Sequence, residues 1–174
     1  VAKESGNATD IKSAQSNLTK AKDNLSTAEA QSNVVKASNA VSSAKEELRR
    51  AEASGQGVSE AKDNLDYAKA NLTAQKANKS VAQAKANVTQ ATNDLAKAKA
   101  SGNSQAIQKA ESSLNEANTI LNKAESTSNI ATKRSNVASA TKDLNEAIAS
   151  GDSARITRSQ NNLSRATNEL TNSQ

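Results

Sequence analysis

Large aliphatic side chains recur along this chain at intervals of seven. Ile11, Leu18 and Leu25 open the pattern, and Ala14, Ala21 and Ala28 follow each of them by three. This is a heptad with a large residue at one seam position and alanine at the other, the period that lays a stripe along one side of a helix. Val34, Val41 and Leu48 come next, with Ala37, Ala44 and Ala51. The step from Leu25 to Val34 is nine residues rather than seven. At about 100° per residue, nine steps carry the stripe roughly half a turn around the helix. The alternation repeats. Val58, Leu65 and Leu72 give way to Val81, Val88 and Leu95, and Ile107, Leu114 and Leu121 give way to Ile130, Val137 and Leu144. Leu72–Val81 and Leu121–Ile130 are again nine-residue steps. Ile156, Leu163 and Leu170 make a seventh and last stripe.

Between pairs of stripes stands a Ser-Gly dipeptide, at Ser5-Gly6, Ser54-Gly55, Ser101-Gly102 and Ser150-Gly151, spaced 49, 47 and 49 residues apart. The chain has five glycines and no proline, so these pairs are its strongest punctuation. Glycine just past a helix avoids the Cβ clash of the left-handed cap. Asn103 or Ser104, and Asp152 or Ser153, are placed to cap the helix that follows. At Ser54-Gly55-Gln56-Gly57 a second glycine loosens the turn, and Ser59 is placed only as a late cap. These features predict tight turns between antiparallel helices. The expected fold is all-α: tandem repeats of about 48 residues with Ala/Leu heptad seams, either a helical-hairpin array or an elongated helical bundle. Residues 1–9 read as a polar lead-in, and 10–174 as one array with boundaries near Gly55, Gly102 and Gly151.

The nine-residue steps have two readings. A single helix of about 45 residues presents opposite faces in its two halves, or the helix breaks near Asn33, Asn78 and Asn129. Asparagine is the commonest non-glycine residue in left-handed helix ends, and Ser and Asn cap helix starts. Gln31-Ser32-Asn33, Ala77-Asn78-Lys79-Ser80 and Ser126-Thr127-Ser128-Asn129 suit a short turn, and the chain closes on a similar run after half a repeat. The broken helix is the expected form.

Composition narrows the possibilities. Thirty-four alanines stand beside eight Val, six Ile and eleven Leu, and Tyr67 is the one aromatic. Such a chain builds a thin helix-on-helix seam rather than a bulky core. Disorder is the competing reading of low hydrophobicity, but a disordered chain has no reason to keep a strict period. Many Asn, Ser and Thr residues weaken the helices, and pairs such as Glu46–Arg50 return only about 0.2–0.5 kcal/mol each. Burying one seam Leu or Val contributes roughly 1.5–3 kcal/mol. Stability therefore has to come from stacking the stripes.

The absence of Cys and His rules out disulfides and Cys/His metal sites. The net charge of +5 is spread along the chain, with neither a basic face nor stacking aromatics, which argues against nucleic acid as a partner. No apolar run approaches the ~20 residues of a membrane span. The narrow, alanine-heavy stripe suits helix partners better than a lipid surface, so no membrane insertion is expected. A surface rich in Asn, Ser and Thr, with no Cys, points to an extracellular or cell-surface protein. No signal peptide is visible, which fits a mature chain, a fragment or a cytoplasmic protein.

Candidate chemistry is sparse. Acid–base work would fall to carboxylates such as Asp23, Asp63, Asp94 and Asp143, but each precedes a seam leucine by one or two positions and so faces outward. Asp63 and Asp66 are neighbours, yet Lys62 and Lys69 accompany them and no calcium-loop glycine spacing is present. Tyr67 lies off the seam and reads as a surface residue or a partner contact. Glycosylation triplets at Asn7, Asn17, Asn24, Asn71, Asn78, Asn87 and Asn162 are about what this composition produces by chance. Threonines scatter rather than forming the eleven-residue ladder of ice-binding helices. No catalytic, cofactor-binding or metal-ligating residue is assigned, and no cofactor is expected.

The repeat running from Ser80-Val81-Ala82-Gln83-Ala84-Lys85 to Ala100-Ser101-Gly102 resembles the Ala/Asn/Lys-rich helical spacer repeats of bacterial cell-surface proteins. The resemblance is one of style, extends over the whole chain, and transfers no residue roles. It implies a non-enzymatic structural or spacer module, spanning distance or self-assembling, with itself or neighbouring repeats as partner. A protein-binding, adhesin-like module and a fibre-forming secreted material are the alternatives, with ice binding behind them.

Overall fold

The computed structural model describes residues 8–174. Among the described residues there are four helices and no strand: α1 is Ala8–Ser54, α2 Val58–Ser101, α3 Ser104–Ser150 and α4 Ser153–Thr171. The fold is all-α. Ser5-Gly6 and Asn7 lie outside the described residues, and Ala8 and Thr9, read as lead-in, belong to α1.

α1, α2 and α3 each end where a Ser-Gly pair stands. Gly55, Gly102 and Gly151 have φ of 71°, 68° and 70°, and no described non-glycine residue has a positive φ. A Cβ built on Gly102 would meet nothing within 4 Å. Glycine is therefore needed there for its backbone conformation, not for room. The serine beside it has a role of its own. Ser101 Oγ donates to the carbonyl of Ala98 at 2.7 Å and accepts the N–H of Asn103 at 3.3 Å. Ser54 does the same with Ala51 and Gln56, and Ser150 with Ala147 and Asp152. One hydroxyl thus satisfies a carbonyl that the ending helix leaves open and fixes the path of the turn. Of the expected caps, Asn103 and Asp152 are the ones used. Asn103 Oδ1 accepts the N–H of Ala106 at 3.1 Å, and Asp152 Oδ1 that of Arg155 at 3.0 Å.

The expected breaks near Asn33, Asn78 and Asn129 do not form. α1, α2 and α3 run through these residues as helices of 47, 44 and 47 residues. Asparagine costs a helix interior only about 0.6 kcal/mol, less than the packing lost by interrupting a seam. The nine-residue steps nevertheless mark a division. One compact unit takes α1 up to Gln31, α2 from Lys79 and α3 up to Glu125, and a second takes Ser32–Asn78 and Ser126–Gln174. The changeovers fall within the steps Leu25–Val34, Leu72–Val81 and Leu121–Ile130.

The side-chain pairs show that α2 and α3 are antiparallel. As one partner advances along α2 through Asp63, Asn78, Lys85 and Lys99, the other retreats along α3 through Asn145, Ser128, Glu125 and Glu111. The pairs Glu146–Arg155 and Lys133–Glu169 do the same for α3 and α4.

The second unit packs segments of all four helices. Val41, Ala44, Leu65 and Ala68 form its apolar cluster, with Leu48 and Leu72 against it. Among the described residues, the buried apolar ones larger than alanine are Val41 and Leu65. The first unit packs three helical segments, and its buried apolar residues are Ala82, Ala84 and Ala117. Six of the seven stripes point inward, none of their large residues being exposed. The first stripe of the chain is a correction to the expected seam. Along the first half of α1, Leu18 is 57% and Leu25 59% exposed. Ala14, Ala21 and Ala28 are exposed with them, and Ile11 is half-buried. The half-buried positions there also include Ser16, Lys20, Asp23, Thr27 and Ala30. Counted by threes and fours, these residues run straight into Val34, Ala37, Val41 and Ala44. The first half of α1 thus turns inward in the frame of its second half and leaves its own stripe outside, whereas α2 and α3 bury or half-bury the large residues on both sides of the same step.

Candidate functional site on the helix surfaces

The sequence candidates do not converge. Asp63 Oδ2 accepts from Asn145 Nδ2 at 2.9 Å, tying α2 to α3. Asp94 Oδ2 accepts from Gln90 Nε2 at 2.8 Å and faces Lys97, and Asp66 faces Lys69 at 3.6 Å. Asp143 and Lys62 are exposed, and Tyr67 is half-buried. Asp23 and Asp63 were expected to face outward. Instead both are half-buried, and Asp23 Oδ2 has no hydrogen-bond partner. Among the described residues no group of three or more acidic side chains is placed to hold a metal ion. Of the glycosylation-type asparagines, Asn17, Asn24, Asn87 and Asn162 are exposed. Asn71 accepts from Gln75, and Asn78 accepts the hydroxyl of Ser128.

The densest polar cluster is where α3 turns into α4. Glu146 accepts from Lys142 one turn earlier on α3 and from Arg155 Nη2 of α4 at 3.2 Å. The ammonium of Lys142, with Arg155 behind it, holds the Glu146 carboxyl below its ordinary range, and Glu146 in turn raises Lys142. Gly57, Glu60, Asp63 and Asn145 join them around an open cavity of about 460 Å³. The sequence did not single out this cluster. Lys142 and Glu146 are an ordinary i,i+4 pair until the turn at Gly151 brings Arg155 to the same carboxylate. A second opening, about 530 Å³, lies along the α2–α3 hairpin of the first unit. It is lined by Ala91, Ala98, Ala106, Ala110 and Ala117 together with Asp94, Lys109 and Glu116.

Threonine hydroxyls are largely taken up within their own helices. Thr19, Thr73, Thr92, Thr119, Thr157 and Thr167 each donate to the carbonyl four residues earlier, at 2.8–3.0 Å. No described helix is long and apolar enough to cross a membrane.

Long antiparallel helices joined by glycine turns, with a seam built mostly of alanine, place the chain among all-α helical proteins. Residues 122–172 are similar to DUF1090, a family described as a protein of unknown function. The match covers less than a third of the chain and spans the end of α3, the Gly151 turn and α4, including the Lys142–Glu146–Arg155 cluster. No curated protein and no solved structure matches the chain.

Proposed function

We propose that this chain is a non-enzymatic structural module, a helical spacer or scaffold belonging to a secreted or cell-surface protein. The observation that carries the reading is the unbroken length of α1, α2 and α3, each of 44 to 47 residues, joined by turns of two or three residues. Helices of this length hold distance. The side-chain chemistry supports the same reading. Charged groups are spent on pairs along or between helices, as at Glu46–Arg49, Lys85–Glu125 and Lys133–Glu169. A resemblance to cell-surface spacer repeats and the Asn/Ser/Thr-rich exterior support the extracellular placement.

Spin labels at Ser59→Cys and Ala96→Cys, both exposed positions on α2, test the rigidity. Thirty-seven residues of straight helix separate them by about 56 Å. One narrow distance population near that value is expected. A short or broad distribution would mean that α2 bends near Asn78, and the spacer reading would fall with it. Digestion of intact producing cells with added protease tests the location: loss of the chain is expected, and full protection would refute a surface position.

A further inference from the structure

We propose that the exposed stripe on the first half of α1 is a self-recognition face that pairs two copies of this chain antiparallel. The stripe is Ala14, Leu18, Ala21, Leu25 and Ala28, all exposed, with the half-buried Ile11 at its N-terminal end. The first unit buries polar groups while leaving this stripe out. Asp23 Oδ2 and Asn93 Nδ2, both in that unit, are buried without a partner while Leu18 and Leu25 stand more than half exposed. Local pattern and packing disagree here, and such conflicts mark functional surfaces.

The stripe is its own complement. In an antiparallel pair, each large seam position packs against the small seam position of the other helix. One two-fold axis between Thr19 and Lys20 sets Ile11 against Ala28 of the second copy, Leu18 against Ala21 and Leu25 against Ala14. Every layer then joins one large side chain to one methyl. The parallel alternative sets leucine on leucine and alanine on alanine, alternating crowding with gaps. The flanking positions agree with the same axis: Gln15 meets Lys22, Asn17 meets Asn24, and Asp10 meets Gln31. No like charges oppose each other. A twofold pair of this kind is closed, because the same patch serves both partners. The stripe runs about 25 Å, and two such faces bury roughly 800 Å² in total, short of the ~1,200 Å² at which stable complexes begin. The pair is therefore a weak, concentration-dependent dimer.

This deepens the scaffold reading by naming the partner, and rests on it only for the view that the helix faces serve assembly. The test is sedimentation of the full chain over a dilution series. The mass is expected to rise from 18.0 kDa toward twice that value as concentration rises. Leu18→Lys with Leu25→Lys should weaken the association by at least ~10-fold, or 1.4 kcal/mol. The helical circular dichroism should be unchanged, because both leucines are exposed. Orientation is read separately in a chain that has no cysteine. Asn17→Cys mixed with Asn24→Cys should cross-link faster than either variant alone. A chain that stays monomeric at millimolar concentration overturns the proposal, as does association indifferent to the lysine pair. Faster cross-linking of each variant with itself overturns the antiparallel arrangement. All of these results leave the label distance along α2 untouched, so failure of the dimer and failure of the spacer are told apart.

Discussion

Replacing Leu65 with alanine tests the packing assignment most directly, provided it is measured beside Leu25→Ala. Both are leucines at the same kind of heptad position in long helices. Leu65 is 7% exposed and lies in the cluster with Val41, Ala44 and Ala68, with Leu48 and Leu72 against it. Truncating a buried leucine costs about 2–5 kcal/mol, depending on how far the site can close. A seam made mostly of alanine has few large neighbours to leave a rigid cavity, so the lower part of that range applies, about 2–3 kcal/mol. In a domain of this size each kcal/mol moves the midpoint by about 2–4 °C. Leu65→Ala should therefore lower Tm by roughly 5–10 °C. Leu25 is 59% exposed. Its truncation gives up only a fraction of a leucine's transfer energy, and alanine returns a little helix propensity. The expected loss is below ~1 kcal/mol, a shift of under ~4 °C. Thermal unfolding followed at 222 nm in dilute solution, where self-association does not contribute, separates the two. Equal shifts would mean that the first stripe of α1 is packed and that the outward assignment of Leu18 and Leu25 is wrong.

Two further outcomes follow from local geometry. Gly102→Ala forces a Cβ onto a φ of 68° with nothing within 4 Å, so the cost is conformational only, about 1–2 kcal/mol. Chemical denaturation should place Gly102→Asn nearer the wild type, and equal losses for both would show that the turn does not depend on left-handed backbone. Glu46 accepts from Arg49 at 2.8 and 2.9 Å and from Arg50 at 3.2 Å, and the Arg49 bond above all holds its carboxyl at about 2. Because the folded value lies below the unfolded 4.5, the contribution is complete above pH 4.5 and is lost as pH falls toward 2. Carbon-detected titration should place Glu46 well below 4.5, and Arg49→Gln should bring it back toward that value; a wild-type Glu46 titrating near 4.5 would refute the pair.

Much of the fold was legible because its information is periodic. Seven-residue spacing identified the inward face of six stripes, and Ser-Gly identified the turns, since only glycine sits easily at a φ near +70°. What was not legible needed knowledge of distant parts of the chain. Asn33, Asn78 and Asn129 carry the chemistry of helix ends, but whether they end a helix depends on the packing on either side, and here packing prevails. The exposure of Leu18 and Leu25 follows only once it is known which helices pack beside the first half of α1, since the same nine-residue step in α2 and α3 leaves both of their stripes inward. The serine in each Ser-Gly pair was visible as a repeated letter. Its double hydrogen bond, as in Ser101 to Ala98 and Asn103, needs the curvature of the turn. The Glu146 cluster was hidden for the same reason: Arg155 is nine residues away along the chain and reaches Glu146 only after the turn reverses direction.

The nine-residue step has a genetic consequence. It exceeds a heptad by two residues, so losing two codons near Asn33 would restore the sevenfold count from Leu25 to Val34 and swing Leu18 and Leu25 to the side that Val41 occupies. Point substitutions on these alanine- and asparagine-rich helices alter one contact each. A short in-frame insertion or deletion inside a helix re-aims every side chain before it. In a chain of this design a change of length inside a helix disturbs more contacts than a change of letter, and the glycine turns are where an added or lost residue disturbs fewest.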